Sequence, residues 1–96
     1  MVRCAVMYEL GESYREVEIY HDLAEAVNEF YMKIGAEIVD IAERSDGSVE
    51  IEVDKVSTEW IREFAERREL KIRKVVKTLY MKIGETEYAF AIAEIE

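Results

Sequence analysis

Residues 22–55, DLAEAVNEFYMKIGAEIVDIAERSDGSVEIEVDK, decide the fold, because they set where a helix stops and a hairpin begins. Asp22 with Glu25 has the spacing of a capping box, Asp standing where Ser or Thr is usual. Leu23, Ala26, Val27, Phe30, Tyr31 and Ile34 then recur at the i, i+3, i+4, i+7 positions of a helix. Gly35 predicts a left-handed stop, so the helix is expected over 22–34. Beyond it, Ala36–Arg44 reads as a strand and Ser45-Asp46-Gly47 as a three-residue turn. Gly takes the positive-φ position there, and Ser48–Lys55 is the returning strand. That hairpin would pair Ile41 with Ile51 and Val39 with Val53. Its other face would gather Asp40, Glu50, Glu52 and Asp54.

Working towards the N-terminus, Val2–Leu10 and Arg15–His21 form a first hairpin around Gly11-Glu12-Ser13-Tyr14. A slip of one residue exchanges the two faces of a strand, so the apolar pattern selects the register. Pairing Leu10 with Arg15 sets Tyr8 against Val17, Val6 against Ile19 and Cys4 against His21. The alternative, which opposes Val6 and Tyr8 to Glu18 and Glu16, is disfavoured. Towards the C-terminus, Ser57 is an N-cap for a second helix with Trp60, Ile61, Phe64 and Ala65 as its apolar stripe. Arg67 and Arg68 close it, where cations suit the helix dipole. A third hairpin runs from Lys71 to Ile83, turns at Gly84-Glu85 and returns over Thr86–Ile95. It aligns Met81 with Tyr88, Leu79 with Phe90 and Lys82 with Glu87, and one face carries Ala89, Ala91 and Ala93. The segment Tyr31-Met32-Lys33-Ile34-Gly35 recurs at Tyr80-Met81-Lys82-Ile83-Gly84, the first on a helix and the second on a strand.

The expected architecture is α+β in a single domain, 1–96. It is a two-layer sandwich of a mainly antiparallel six-stranded sheet with both helices on one face. The order is β-β-α-β-β-α-β-β, and a ferredoxin-like β-α-β-β-α-β core is embedded in it.

Charge is the most informative part of the composition. The chain is net −9, but residues 1–54 hold 4 basic and 14 acidic side chains, while 55–82 hold 9 basic and 4 acidic. Segregation of this kind suggests a partner or a self-complementary surface. Eighteen Glu, one Asn and no Gln or Pro give a thermophile-like composition. A single cysteine excludes an intrachain disulfide and fits a reducing, cytoplasmic setting, and no apolar run is long enough to span a bilayer.

No motif commits the chain to a chemistry. Cys4 opposite His21 could make a thiolate nucleophile, though a small buried thiol is ordinarily core packing. Asp40, Glu50, Glu52 and Asp54 offer hard oxygen ligands to a cation, without the ligand series of a calcium loop. Their ordinary reading is a solvated face. Arg62, Arg67, Arg68, Lys71, Arg73, Lys74 and Lys77 are anion-binding candidates, with Glu59, Glu63, Glu66 and Glu69 interleaved among them. No glycine sits in a phosphate-cradling pattern, and no cofactor is implied. The leading expectation is a non-catalytic, self-associating binding module, a homodimer or a partner for another protein. Two helices on one face would leave the second face of a six-stranded sheet uncovered. One rival is a small-molecule enzyme or ligand-binding protein with a pocket at a subunit interface. The other is nucleic-acid binding through residues 62–77, which the overall acidity opposes.

Overall fold

Two stretches of the chain carry no charge and no polar alternation: Cys4–Tyr8 and Tyr88–Ala93. A strand that is apolar on both faces belongs at the centre of a sheet covered on both sides. The computed structural model, which describes residues 3–12, 14–44 and 50–96, has that arrangement. Among the described residues the elements are β1 (Arg3–Leu10), β2 (Tyr14–Tyr20), α1 (Leu23–Arg44), β3 (Glu52–Asp54), α2 (Thr58–Arg67), β4 (Ile72–Ile83) and β5 (Thr86–Ile95). The five strands form one sheet in the order β2-β1-β5-β4-β3, with every neighbouring pair antiparallel. The chain is therefore α+β, with β1 and β5 side by side in the middle.

The helices lie on opposite sides of this sheet. Cys4, Val6, Tyr8, Phe90 and Ile92 point to one face and pack with Ala26, Phe30, Ile34 and Ile41 of α1. Ala5, Met7, Ala91, Ala93 and Ile95 point to the other and pack with Ile61 and Phe64 of α2. The expected two-layer sandwich with both helices on one face is thus corrected to three layers. The second face of β1 and β5, which was to have wanted a partner chain, is covered by the protein's own α2.

The second correction concerns residues 36–44. They continue α1, a helix of 22 residues, and do not form a strand. The expected pairs Ile41–Ile51 and Val39–Val53 do not exist. Phe30, Ile34 and Ile41 keep helical spacing on the buried side of α1, with Ile38 half-buried between them. Burial of that continuing stripe outweighs the helix-breaking tendency of one glycine, about 1 kcal/mol. Gly35 sits on the exposed side with no atom within 4 Å of where a Cβ would stand. The turn Ser45-Asp46-Gly47 lies outside the described residues, as do Ser48 and Val49. Among the described residues of the returning segment only Glu52–Asp54 is a strand, so the described sheet has five strands and shows no ferredoxin-like β-α-β-β-α-β series. The two Tyr-Met-Lys-Ile-Gly segments take a helix and a strand with its turn, as read.

The third hairpin has the expected register, with Ile83 opposite Thr86, Met81 opposite Tyr88 and Lys82 opposite Glu87. The first does not. Leu10 faces Tyr14, so Val6 stands opposite Glu18 and Tyr8 opposite Glu16. The reason is polar. Glu18 accepts hydrogen bonds from the Tyr8 hydroxyl at 3.1 Å and from the Tyr20 hydroxyl, and pairs with Lys33 Nζ of α1 at 2.9 Å. A carboxylate with three donors no longer pays for its place on the core side of an edge strand. The Tyr20 hydroxyl, with Lys33 and Tyr8, holds the Glu18 carboxyl below its ordinary range against the opposing effect of burial. Burial, then Glu18 itself, pushes the Tyr8 hydroxyl up to about 12.

Two outcomes are expected. Gly35→Ala stabilises the protein by about 0.5–1 kcal/mol, because a helical, uncrowded glycine loses more chain entropy on folding than alanine. Urea denaturation measures it, and a loss of stability would mean that the helix stops at Gly35 after all. Secondly, a carboxyl whose folded pKa is depressed stabilises the fold above its unfolded pKa, and this contribution is lost as pH falls through the folded value. Wild type should therefore lose stability as pH drops below about 5, and Glu18→Gln should show a smaller loss over that range while being less stable at neutral pH. Thermal melts from pH 7 to 3 make the comparison.

Candidate functional site

A ten-residue helix is only about 15 Å long, whereas the twelve residues of β4 extend about 40 Å. α2 therefore covers half of its face of the sheet and leaves the other half open. The boundary falls between two rows of side chains. Val17, Met7 and Ala91 lie in one row beneath α2. Two residues further on, Arg15, Glu9, Ala89, Tyr80 and Asp54 form the next row, one from each strand in the order β2-β1-β5-β4-β3. All five residues line a cleft of about 900 Å³. Its floor is hollow in the middle because β5 contributes only the methyl group of Ala89.

The walls come from three turns. The β1–β2 turn supplies Gly11 and Glu12, the β4–β5 turn supplies Glu85, Thr86 and Glu87, and the β3–α2 connection supplies Lys55, Val56 and Ser57. Gly11 and Gly84 hold positive φ at those turns, of 71° and 62°, which places the turn residues over the floor. At the start of α2, Ser57 caps the helix by accepting from the Trp60 backbone N–H at 3.1 Å. The Trp60 ring stands against Phe64, with centroids 5.0 Å apart, and faces the cleft.

Polar groups on the floor are already engaged. Trp60 Nε1 donates to Glu9 Oε2 at 2.6 Å, and Arg15 Nε donates to Glu9 Oε1 at 2.7 Å. The Tyr80 hydroxyl donates to Glu87 at 2.8 Å, a bond that raises the Tyr80 pKa by favouring the neutral phenol. At the rim, Glu12 and Glu85 have no side-chain partner among the described residues. Five carboxylates (Glu9, Glu12, Asp54, Glu85 and Glu87) face the cleft against two cations, Arg15 and Lys55. An acidic, half-enclosed space with indole and phenol walls attracts positive charge and offers ring faces to it.

The residues singled out from sequence fall elsewhere, apart from Asp54. Cys4 is buried and stands opposite Tyr20, so His21 is out of register with it. Burial, with Glu94 and Asp22, raises the Cys4 thiol pKa and keeps it protonated, the opposite of an activated nucleophile. Asp40 is on α1 and pairs with Arg44 at 2.9 Å, apart from Glu52 and Asp54 on β3 and from Glu50 just before it. Among the described residues no group of three or more His, Cys, Asp or Glu side chains is gathered around a metal-sized point. The seven basic residues do not form one surface. Arg62 and Arg67 lie on α2, and the Arg68 guanidinium rests 3.8 Å over the Phe64 ring on that same side. Lys71 and Arg73 are exposed at the start of β4. Lys74 and Lys77 stand opposite Glu94 and Ile92, on the face that carries α1. Sequence reasoning missed Glu9, Arg15, Trp60, Tyr80 and Glu87 as a group. Their only advance signal was Ala89 in the alanine stripe beside a helix too short to cover it.

No helix among the described residues is long and apolar enough to cross a membrane. No protein-family model, no curated protein and no solved structure matches the chain.

Proposed function

We propose that the protein is a non-catalytic binding module whose cleft takes a small organic cation, a molecule bearing amine or guanidinium groups. One observation carries the reading: the cross-sheet row Arg15–Glu9–Ala89–Tyr80–Asp54 makes the floor of a 900 Å³ cleft whose carboxylates outnumber its cations five to two. The volume lies in the range of ligand pockets. Among the described residues the rim carboxylates Glu12 and Glu85 have no side-chain bond to give up for a cation, and the Trp60 and Tyr80 rings can flank its alkyl or guanidinium part. Catalysis has less support. The Tyr80 hydroxyl is tied to Glu87, and that bond raises its pKa and makes it a poorer proton donor. Cys4 and His21 lie outside the cleft.

Trp60 is the chain's one tryptophan, so its emission reports occupancy directly. Spermidine and arginine amide are the probes, with an uncharged diol of similar length as the control. The expected result is a saturable change in Trp60 emission with micromolar to millimolar affinity, weakened by salt. Glu85→Gln with Glu87→Gln should weaken binding by about tenfold or more, in keeping with the loss of charged hydrogen-bond acceptors. Removing equal charge elsewhere, with Glu25→Gln and Glu29→Gln on α1, should leave affinity unchanged. If neither cation shifts the emission at millimolar concentration, or if both double variants weaken binding equally, the reading fails.

A further inference from the structure

The charged side chains of α1 are confined to one side. Glu25, Glu29, Lys33, Glu37, Asp40, Glu43 and Arg44 occupy about a third of the helix circumference at 100° per residue. The core takes only part of the remainder, through Phe30, Ile34 and Ile41. A second uncharged strip faces outward, along Asn28, Met32, Gly35 and Val39. The spacing is 4-3-4, the seam one helix presents to another. Met32 and Val39 are 58% and 56% exposed, and Tyr31 beside them is 50% exposed, which is unusual for large apolar side chains on one surface. The space over Gly35 is open, which permits close backbone approach.

The flanks of this seam say what covers it. One flank carries the carboxylates Glu25, Glu29 and Glu43. The other is the face of β4 beneath Tyr31, where Lys77 Nζ stands 5.8 Å from the Tyr31 ring and Lys74 shares its side of the strand. A two-fold axis running along α1 sets each copy's carboxylate flank against its partner's lysine flank. An axis across α1, which makes the helices antiparallel, sets like charge against like. A polar Asn at one seam position is also the device that fixes parallel, in-register pairing, and Asn28 is the chain's only Asn. We infer that a second copy of this chain docks on α1, parallel and in register, so that Met32 and Val39 meet their own counterparts. The surface lies on the face of the sheet opposite the cleft, so the dimer leaves the cleft open, and this inference stands or falls independently of the cation reading.

Sedimentation equilibrium and disulfide trapping test it. Wild type should show twice the 11.2 kDa chain mass at high micromolar concentration. Met32→Glu should raise the dimer dissociation constant by at least about tenfold, while circular dichroism and melting temperature show the fold intact. Val39→Lys is the second variant should Met32→Glu not fold. Val39→Cys should oxidise to a covalent dimer at least about tenfold faster than Glu16→Cys on the remote edge strand, because association raises the local thiol concentration. Native Cys4 is buried and does not compete. A chain that stays monomeric at millimolar concentration overturns the inference. So does a dimer that survives both Met32→Glu and Val39→Lys, and so does a dimer in which Val39→Cys gains no rate over the control.

Discussion

The pairing of β1 with β5 is the constraint from which the remaining architecture follows. Neither strand has a charged residue in its middle, and Cys4 to Met7 and Phe90 to Ala93 are wholly buried. The larger of these side chains, Val6, Met7, Phe90 and Ile92, each contribute on the order of 1.5–3 kcal/mol only if water is removed from them. Alternation sends half of the buried residues to each face, so one helix could never suffice. The long α1 covers the face with the larger side chains, including Val6, Tyr8, Phe90 and Ile92. Phe30 meets Phe90 edge-to-face there, with centroids 6.3 Å apart. The short α2 covers the face where Ala91 and Ala93 present only methyl groups, and small residues let a helix sit close to a sheet. The alanine stripe is thus a packing surface under α2 and, one step further along at Ala89, the floor of an open cleft.

The acidic character of the cleft is a product of topology. Glu9 and Glu12, Asp54, and Glu85 and Glu87 come from three separate parts of the chain, all of them near a strand end. Antiparallel pairing in the order β2-β1-β5-β4-β3 brings the β1–β2 and β4–β5 turns to the same end of the sheet, and β3 sets Asp54 opposite Tyr80 in the row of the floor. Like charges gathered this way repel, and the fold answers with local partners: Arg15 and Trp60 for Glu9, and Tyr80 for Glu87. Glu12 and Glu85 have no such partner among the described residues.

Much of this was legible in the chain, and the failures have physical causes. The third hairpin was readable because Gly84 fixes the turn and both faces give consistent pairs. The first hairpin was misread because carboxylates were assumed to avoid the core side. Glu18 stands there since Tyr8, Tyr20 and Lys33 supply three donors, one of them from a helix whose position no hairpin pattern contains. Residues 36–44 were misread because Ile34, Ile38 and Ile41 satisfy a helical stripe while Ile38-Val39-Asp40-Ile41 also resembles a strand. Gly35 tipped the local reading the wrong way. The placement of the helices on opposite faces was available in principle. Ala5 and Met7 beside Val6 and Tyr8 already announce two buried faces, and only the assumption of a two-layer sandwich hid it. The cleft was harder to foresee, because its residues are contiguous only across strands.

The basic segment acquires a structural reason from the same topology. β4 has twelve residues, but β3 pairs only with Tyr80, Met81 and Lys82. Among the described residues the outer edge of β4 before Tyr80 has no neighbouring strand. An exposed strand edge invites pairing with another chain, and bulges and lysines are the usual protection. β4 has both: register shifts fall between Ile72 and Lys74 and between Val75 and Lys77, and Arg73, Lys74 and Lys77 lie along the exposed stretch. The positive charge that the sequence concentrates there therefore guards an edge against strand addition. It also leaves Lys74 and Lys77 on the face that carries α1, with Lys77 Nζ 5.8 Å from the Tyr31 ring. The segregated charge of this chain thus has a local structural reason at the edge of β4, before any partner is invoked.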